Sequence, residues 1–309
     1  MTPFVESIVE TATDSAVAVE RRTRHRPRAR KLLRVLGGKK NILVTTHQHP
    51  DPDAVASSVG MARLLRVKLP GAKVTVAVKG FAPSGLNAAF TQQTLQELRP
   101  WDAAGLGAYD GIVLLDVQPA FRSSPLPASV VPTAIVDHHR ARGRKPNCPF
   151  RDIRTDVGAS SSIVFSYFME LEVEIDPDLA ASLLYAIETD LAGAAGKPGE
   201  LDTTALSSLM LIADPRKLYQ MRYVQLPRSY YLAYSTGLAN AVYYDQAMIS
   251  HLESLTSPEA PAVLADFLLR FEQVQWVLVT AVGESSLVLS LRTQSSKLSA
   301  ADLMKHLIR

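Results

Sequence analysis

The amino-acid sequence predicts an α/β protein: a parallel, doubly wound sheet domain followed by a smaller α/β unit with a mixed sheet. Three observations lead there. Four short apolar runs, NILVTTH (41–47), VTVAVKG (74–80), GIVLLDV (111–117) and TAIVDHH (133–139), are separated by stretches of helical periodicity. The runs are nearly continuously apolar rather than alternating, as suits strands covered on both faces. Beyond residue 241 the pattern becomes a hairpin, WVLVTAV (276–282) and SLVLSLRT (286–293), joined by Gly283-Glu284-Ser285.

Taken in order, residues 1–37 read as a basic helical lead-in, with RRTRHRPRARKLLR (21–34) as its charged block. That block is either a solvated helix face or arm, or a patch that attracts a phosphate-rich molecule. After the first strand, AVASSVGMARLLRV (54–67) repeats apolar positions at helical spacing, and Pro70-Gly71 stops it. Residues 85–99 read as a helix. Asp156 opens a stretch of small residues leading into the helix IVFSYFMEL. DPDLAASLLYAIETD (176–190) is a helix capped by Asp176, with Pro177 at its first position. The sheet domain is placed at 38–193 and a helical linker, broken at Leu226-Pro227, at 194–240. The second unit occupies 241–309: a strand AVYYDQAMI, a helix over 258–272, the hairpin, and a terminal helix SAADLMKHLIR.

Bulk properties exclude several classes. The chain has 309 residues, 47 % hydrophobic and 20 % charged, the profile of a globular protein. No apolar run reaches the roughly 18–20 residues that span a bilayer, and the acidic amino terminus is not a secretory signal. A net charge of +3 does not by itself indicate a polyanion binder. The single cysteine, Cys148, can form neither an internal disulfide nor a thiolate metal site, so a cytoplasmic location is expected.

The acids and imidazoles cluster at strand ends. His47, Asp51 and Asp53 follow the first strand, Asp116 ends GIVLLD, and Asp137, His138 and His139 end TAIVDHH. In open parallel sheets these ends line the ligand crevice. Crowded carboxylates repel, and divalent cations relieve that cost. Imidazole with carboxylate and no thiolate suits manganese (Mn²⁺), with Mg²⁺ or Co²⁺ as alternatives, and the number of groups suits two ions, an arrangement fitted to hydrolysis at phosphorus. Taken singly, each residue has a plainer reading: Asp51 or Asp53 could cap the helix starting at Ala54, and a His-His pair could be hydrogen-bonded scaffold.

THQHPDPDA, LLDV, VDHH and AIETD resemble, in order, the four signature segments of the DHH phosphoesterases, which include RecJ-like exonucleases and nanoRNases that also act on phosphoadenosine phosphate. The resemblance is strong over 38–193 and weaker through the hairpin, which looks like the start of a DHH-associated substrate domain. It implies His47 and Asp51 on one metal, Asp53, His138 and Asp190 on the other, and Asp116 bridging both. It implies that Asp137 orients an imidazole, that His139 serves the substrate phosphate or leaving group, and that Arg140 and Arg292 contact substrate.

Two departures stand out. Leu191 follows Thr189-Asp190 where the family has a second threonine, and no Gly-Gly-Gly-His segment occurs before Arg309. The second is read as truncation rather than loss of a substrate clamp. The expected activity is two-metal hydrolysis of phosphoester bonds in small nucleotides: short oligoribonucleotides, phosphoadenosine phosphate or cyclic dinucleotides. The alternatives are an inorganic pyrophosphatase or exopolyphosphatase, and a non-catalytic metal- or nucleotide-binding regulator. The expected partner is the small nucleotide or short oligonucleotide; a homodimer is compatible with the layout, and no membrane association is expected.

Overall fold

The computed structural model describes residues 27–80, 90, 97–140, 148–192, 198–255, 259–283, 286–295, 298, 300 and 303–304. Six parallel strands form the first sheet: β1 (Asn41–Thr45), β2 (Lys73–Val78), β3 (Leu98–Pro100), β4 (Gly111–Leu115), β5 (Ala134–Asp137) and β6 (Phe150–Ile153). Their order is β3-β2-β1-β4-β5-β6, so the winding reverses between β1 and β4. Such a reversal opens a crevice beyond the carboxyl ends of the two central strands. Register is continuous across it, with Val44 beside Val113 and Thr45 beside Leu114.

One face of this sheet is covered by helices α1 (Arg28–Leu36), α2 (Pro52–Lys68) and α3 (Ser160–Glu170), and α4 (Pro177–Ala192) packs on α2 and α3. Ile42, Val44, Val76, Val113 and Val136 share one buried core with Val55, Val59, Ile163 and Leu183 of these helices. The alternate residues Leu43, Leu114 and Ile135 fill the opposite face, where the described cover is the 3-10 turn Ala104–Ala108 and the segment after β4, through Leu106, Val117, Phe121 and Leu126. Apolar contact on both faces accounts for the continuous hydrophobic runs. Helix α2 is buried along most of its length. At its centre, a Cβ on Gly60 would sit 3.1 Å from Val164 and 3.5 Å from Leu183, so glycine lets α2 approach α3 and α4 closely.

Helices α5 (Glu200–Ile212) and α6 (Pro215–Arg222) pack on α4. A second, mixed sheet follows, of order β10-β9-β8-β7, built from β7 (Val242–Tyr244), β8 (Ala247–Leu252), β9 (Trp276–Val282) and β10 (Leu287–Thr293). Helices α7 (Arg228–Ala239) and α8 (Ala260–Leu268) cover one face of it, enclosing Met248, Leu264, Val277 and Val279.

Two local expectations differ, and one strand was not expected at all. Residues 241–249 form two antiparallel strands rather than one, turned at Asp245, whose φ of 51° is one that aspartate tolerates. Leu98–Pro100 is a strand, not the end of a helix; of that expected helix only Phe90 and Glu97–Arg99 are described. Strand β6, with the pattern FRDI, lacks the apolar run that marks the others. The expected terminal helix and the basic residues 21–26 lie largely outside the described residues. The described part of the basic block is α1, where Arg28 pairs with buried Asp152 at 2.9 Å. Among the described residues no helix is long and apolar enough to cross a membrane.

Candidate metal centre

The switch point of the sheet collects the acids and imidazoles. β1 runs out at Thr45, and the next residues carry His47 to the crevice before Asp51 starts α2. The Asp51 side chain accepts from the Ala54 amide at 3.0 Å, so the capping role weighed for it is real. Its other oxygen stands 3.9 Å from His47 Nε2, so capping and site membership coexist. His47 Nδ1 lies 2.9 Å from the Gln48 carbonyl; donation there leaves Nε2 as the ring nitrogen that faces the acids.

Asp53 does not cap its own helix. It is buried and accepts two amides from the start of α3, Ser160 at 2.7 Å and Ser161 at 2.8 Å. The N-cap of α3 is Ala159, which has no side-chain acceptor, so the helix takes one from α2. Asp116 leaves β4 with φ at 57°, a left-handed turn that redirects the chain as its side chain enters the crevice. Its amide donates to Val136 and Ser160 Oγ donates to its Oδ1 at 2.9 Å.

The two oxygens of Asp116 face different neighbours. Oδ2 lies 3.6 Å from His47 Nε2, and Oδ1 lies 3.3 Å from His138 Nε2. His138 Nε2 is also 3.4 Å from Asp190 Oδ2, near the end of α4. Two groups able to hold a cation result: His47, Asp51 and Asp116 in one, and Asp53, His138 and Asp190 in the other. A third grouping joins Asp116, His138 and His139. In that one, His139 Nδ1 is already held by Asp137 Oδ1 at 2.9 Å.

Electrostatics mark the cluster as unbalanced. Burial disfavours the Asp53 and Asp190 anions, and neighbouring carboxylates add to it, raising their pKa values to about 7 and about 8. Burial opposes charge on His47 and His138, but the surrounding acids prevail and raise them to about 9 and about 10. Asp51 moves the other way: burial resists its ionisation, and His47 outweighs that. Two like unit charges 4 Å apart cost roughly 4 kcal/mol at an effective dielectric of 20. Without a cation, protons fill that role. The donor set of carboxylates and imidazoles fits divalent ions that favour oxygen and nitrogen.

All six residues expected as metal ligands therefore converge. Asp137 is fully buried beside His139. Arg140 is exposed next to His139. Arg292 stands apart on β10, its Nε donating to Asp266 at 2.7 Å. The sequence reading missed Ser160 and Gln118. Ser160 had a signal, since a helix opening Ala-Ser-Ser-Ser without an acidic cap must borrow an acceptor; Gln118 had none beyond its position two residues after Asp116.

Residues 41–187 match the model of the DHH family, N-terminal domain. The chain is 25 % identical over 268 residues to an uncharacterized protein of Methanocaldococcus jannaschii, covering 86 % of this chain and 55 % of that protein. It is 31 % identical over 154 residues to a probable manganese-dependent inorganic pyrophosphatase of Lactococcus lactis, covering 48 % of each. The chain thus spans about half the length of these curated relatives. The crystal structure of an exopolyphosphatase-related protein from Bacteroides fragilis shares the fold, at a TM-score of 0.72 and 17 % identity over 89 % of this chain and 85 % of that one.

Proposed function

From the premise that this chain belongs to the DHH family through its domain over residues 41–187, we propose that it is a manganese-dependent phosphoesterase that hydrolyses phosphoester bonds in small nucleotides. The observation that carries this reading is the division of Asp116, one oxygen toward His47 and the other toward His138. A carboxylate so placed suits two cations side by side, with His47 and Asp51 on one and Asp53, His138 and Asp190 on the other. The named manganese dependence of the Lactococcus lactis relative supports the choice of ion. Bound there, the ions would neutralise charge on the phosphoryl oxygens and lower the pKa of water.

The chain's own residues supply the rest. Hydrolysis adds water across one P–O bond: a bond forms between the water oxygen and phosphorus, and the bond to the leaving oxygen breaks. As an imidazolium with its Nδ1–H held by Asp137, His139 can give its Nε2 proton to the leaving oxygen and is left neutral with Nδ1 protonated. The proton released by the attacking water restores it. Arg140 is exposed beside His139, where it can meet a substrate phosphate. Arg292 would serve substrate only if its bond to Asp266 were exchanged for one to a phosphate. In the same reading the catalytic unit spans 38–193, with 241–309 as part of a substrate unit.

A second reading has specific support: several relatives are named as probable manganese-dependent inorganic pyrophosphatases. The same centre would then act on pyrophosphate. Purified protein supplied with Mn²⁺ and offered a dinucleotide, phosphoadenosine phosphate, a cyclic dinucleotide and pyrophosphate separates the two. Turnover of a nucleotide with pyrophosphate untouched supports the first reading. Turnover of pyrophosphate alone transfers the conclusion to the second. Manganese binding without hydrolysis of any of the four refutes both and leaves a binding protein.

A further inference from the structure

Gln118 occupies an unusual place. It is 2 % exposed, two residues beyond Asp116, on the segment that leaves the sheet at the switch point. A buried side-chain amide must find partners. Its Nε2 donates to Asp137 Oδ2 at 2.6 Å and to the His139 carbonyl at 3.0 Å. One amino group thus holds both the carboxylate that orients the His139 ring and the backbone that carries that ring.

Asp137 is correspondingly saturated. Oδ1 accepts the His139 amide at 3.1 Å and His139 Nδ1 at 2.9 Å, and Oδ2 accepts Gln118. Buried carboxylates without donors are costly, and this one has three. Beyond Asp137, the nearest acid to the His139 ring is Asp116, whose Oδ1 lies 3.7 Å from Nδ1, outside hydrogen-bond distance. The ring is half exposed, and its described ring neighbours are Phe121, edge-on at 6.1 Å, and His138 at 4.2 Å.

We infer that Gln118 is a positioning residue for the proposed phosphoester hydrolysis: it locks Asp137 and the His139 backbone together, so that the His139 ring holds one proton on Nδ1 throughout and, as an imidazolium, presents its Nε2–H to the leaving oxygen. This rests on the reading of the centre given above. Gln118 acts on the proton-donating side alone, because its hydrogen bonds go to Asp137 and the His139 carbonyl, and none goes to an atom of the six clustered ligands.

The test is Gln118→Met, nearly isosteric and without donors, examined in the full chain with Mn²⁺. Turnover of a phosphodiester with an alkyl leaving alcohol is expected to fall about 10–100-fold in kcat with KM little changed, the size typical of lost outer partners. Turnover of an aryl phosphodiester, whose leaving group departs without a proton, is expected to stay within about twofold. Manganese stoichiometry, read by calorimetric titration, stays at the wild-type value. Nitrogen-15 spectra of the histidine rings supply a readout independent of turnover. Recorded with Mg²⁺ in place of manganese, at a pH where the ring is neutral, wild-type His139 shows the Nδ1-protonated tautomer, and in Gln118→Met and in Asp137→Asn it shows a mixture.

Equal losses on both substrates, or an unchanged His139 spectrum in Gln118→Met, overturn the inference. Loss of manganese in Gln118→Met also overturns it, since the residue would then support the metal side. A wild-type protein inactive on every phosphoester sinks instead the phosphoesterase reading, and the ring spectra still report whether Gln118 sets the tautomer.

Discussion

Asp152 on β6 and Asp116 at the end of β4 are both buried carboxylates of one sheet, yet their surroundings are opposite. Asp152 receives Arg28 at 2.9 Å, Arg154 at 2.7 Å and the Tyr167 hydroxyl at 2.8 Å. Two guanidinium groups more than balance its charge. Asp116 faces imidazoles, with Asp53 and Asp190 close enough for each to feel its charge. A buried acid wrapped in arginine is finished as it stands. A buried acid among acids and imidazoles is completed by something outside the chain. Burial alone would not have separated the two; the partners do.

The comparison can be broken at its largest difference first. On the proposed reading, in which Asp116 stands between two cations, Asp116→Asn is expected to lower kcat on the order of 10³-fold or more, the size of several kcal/mol of lost charge stabilisation, while leaving the fold intact. Manganese titration should show weakened binding, and circular dichroism an unchanged spectrum. Near-normal turnover would remove Asp116 from the bridge.

Asp152→Ala should do the reverse. It strands Arg154 and the buried Tyr167 hydroxyl, at a cost of about 3–5 kcal/mol in chemical denaturation. The folded fraction should bind manganese as the wild type does. A variant that lost manganese yet kept its stability would overturn the division.

The pH response sharpens the contrast. His47, His138, Asp53 and Asp190 all have folded pKa values raised above their unfolded ones, so the folded metal-free chain holds more protons than the unfolded chain. Their contribution to stability is therefore lost as pH rises, from about 4 to about 8 for the aspartates and from about 6.5 to about 10 for the histidines. Thermal melts of metal-free protein should show Tm falling between pH 6 and 9, over roughly the span where these groups ionise. Manganese binds the deprotonated ligands, so its stabilising increment should grow over the same range. A flat increment would mean that the acids are not the ligands.

The smallest effect concerns support of the bridge. Ser160→Ala removes the hydroxyl on Asp116 Oδ1 and keeps the backbone amides on Asp53. Manganese affinity should drop about 10–100-fold by titration. No change would reduce the hydroxyl to filler.

Much of this was legible in the residues themselves. Continuous apolar runs ending in His47, Asp116 and Asp137-His138-His139 identify strands whose carboxyl ends meet, because a parallel sheet puts those ends on one side. The six ligand candidates came from that logic together with the resemblance. The rest was hidden for identifiable reasons. Strand β6 has an exposed arginine, Arg151, and a buried aspartate, Asp152, where an apolar pattern would be, and the aspartate is paired in space with Arg28 and Arg154. The turn at Asp245 interrupts what reads as one strand. Gln118 carries no periodic or motif signal, and its partners are nineteen and twenty-one residues away in the chain.

The sequence by itself determined which groups are available and where each stands along its strand, because covalent order and hydropathic pattern are local properties. Only the tertiary structure decided that Asp53 serves helix α3 rather than its own, that Asp116 divides its oxygens, and that Asp152 meets two guanidinium groups while Asp116 meets imidazoles and other acids. Those outcomes depend on distances between segments far apart in the chain, where electrostatic energy changes steeply over an ångström or two and no pattern along the sequence records it.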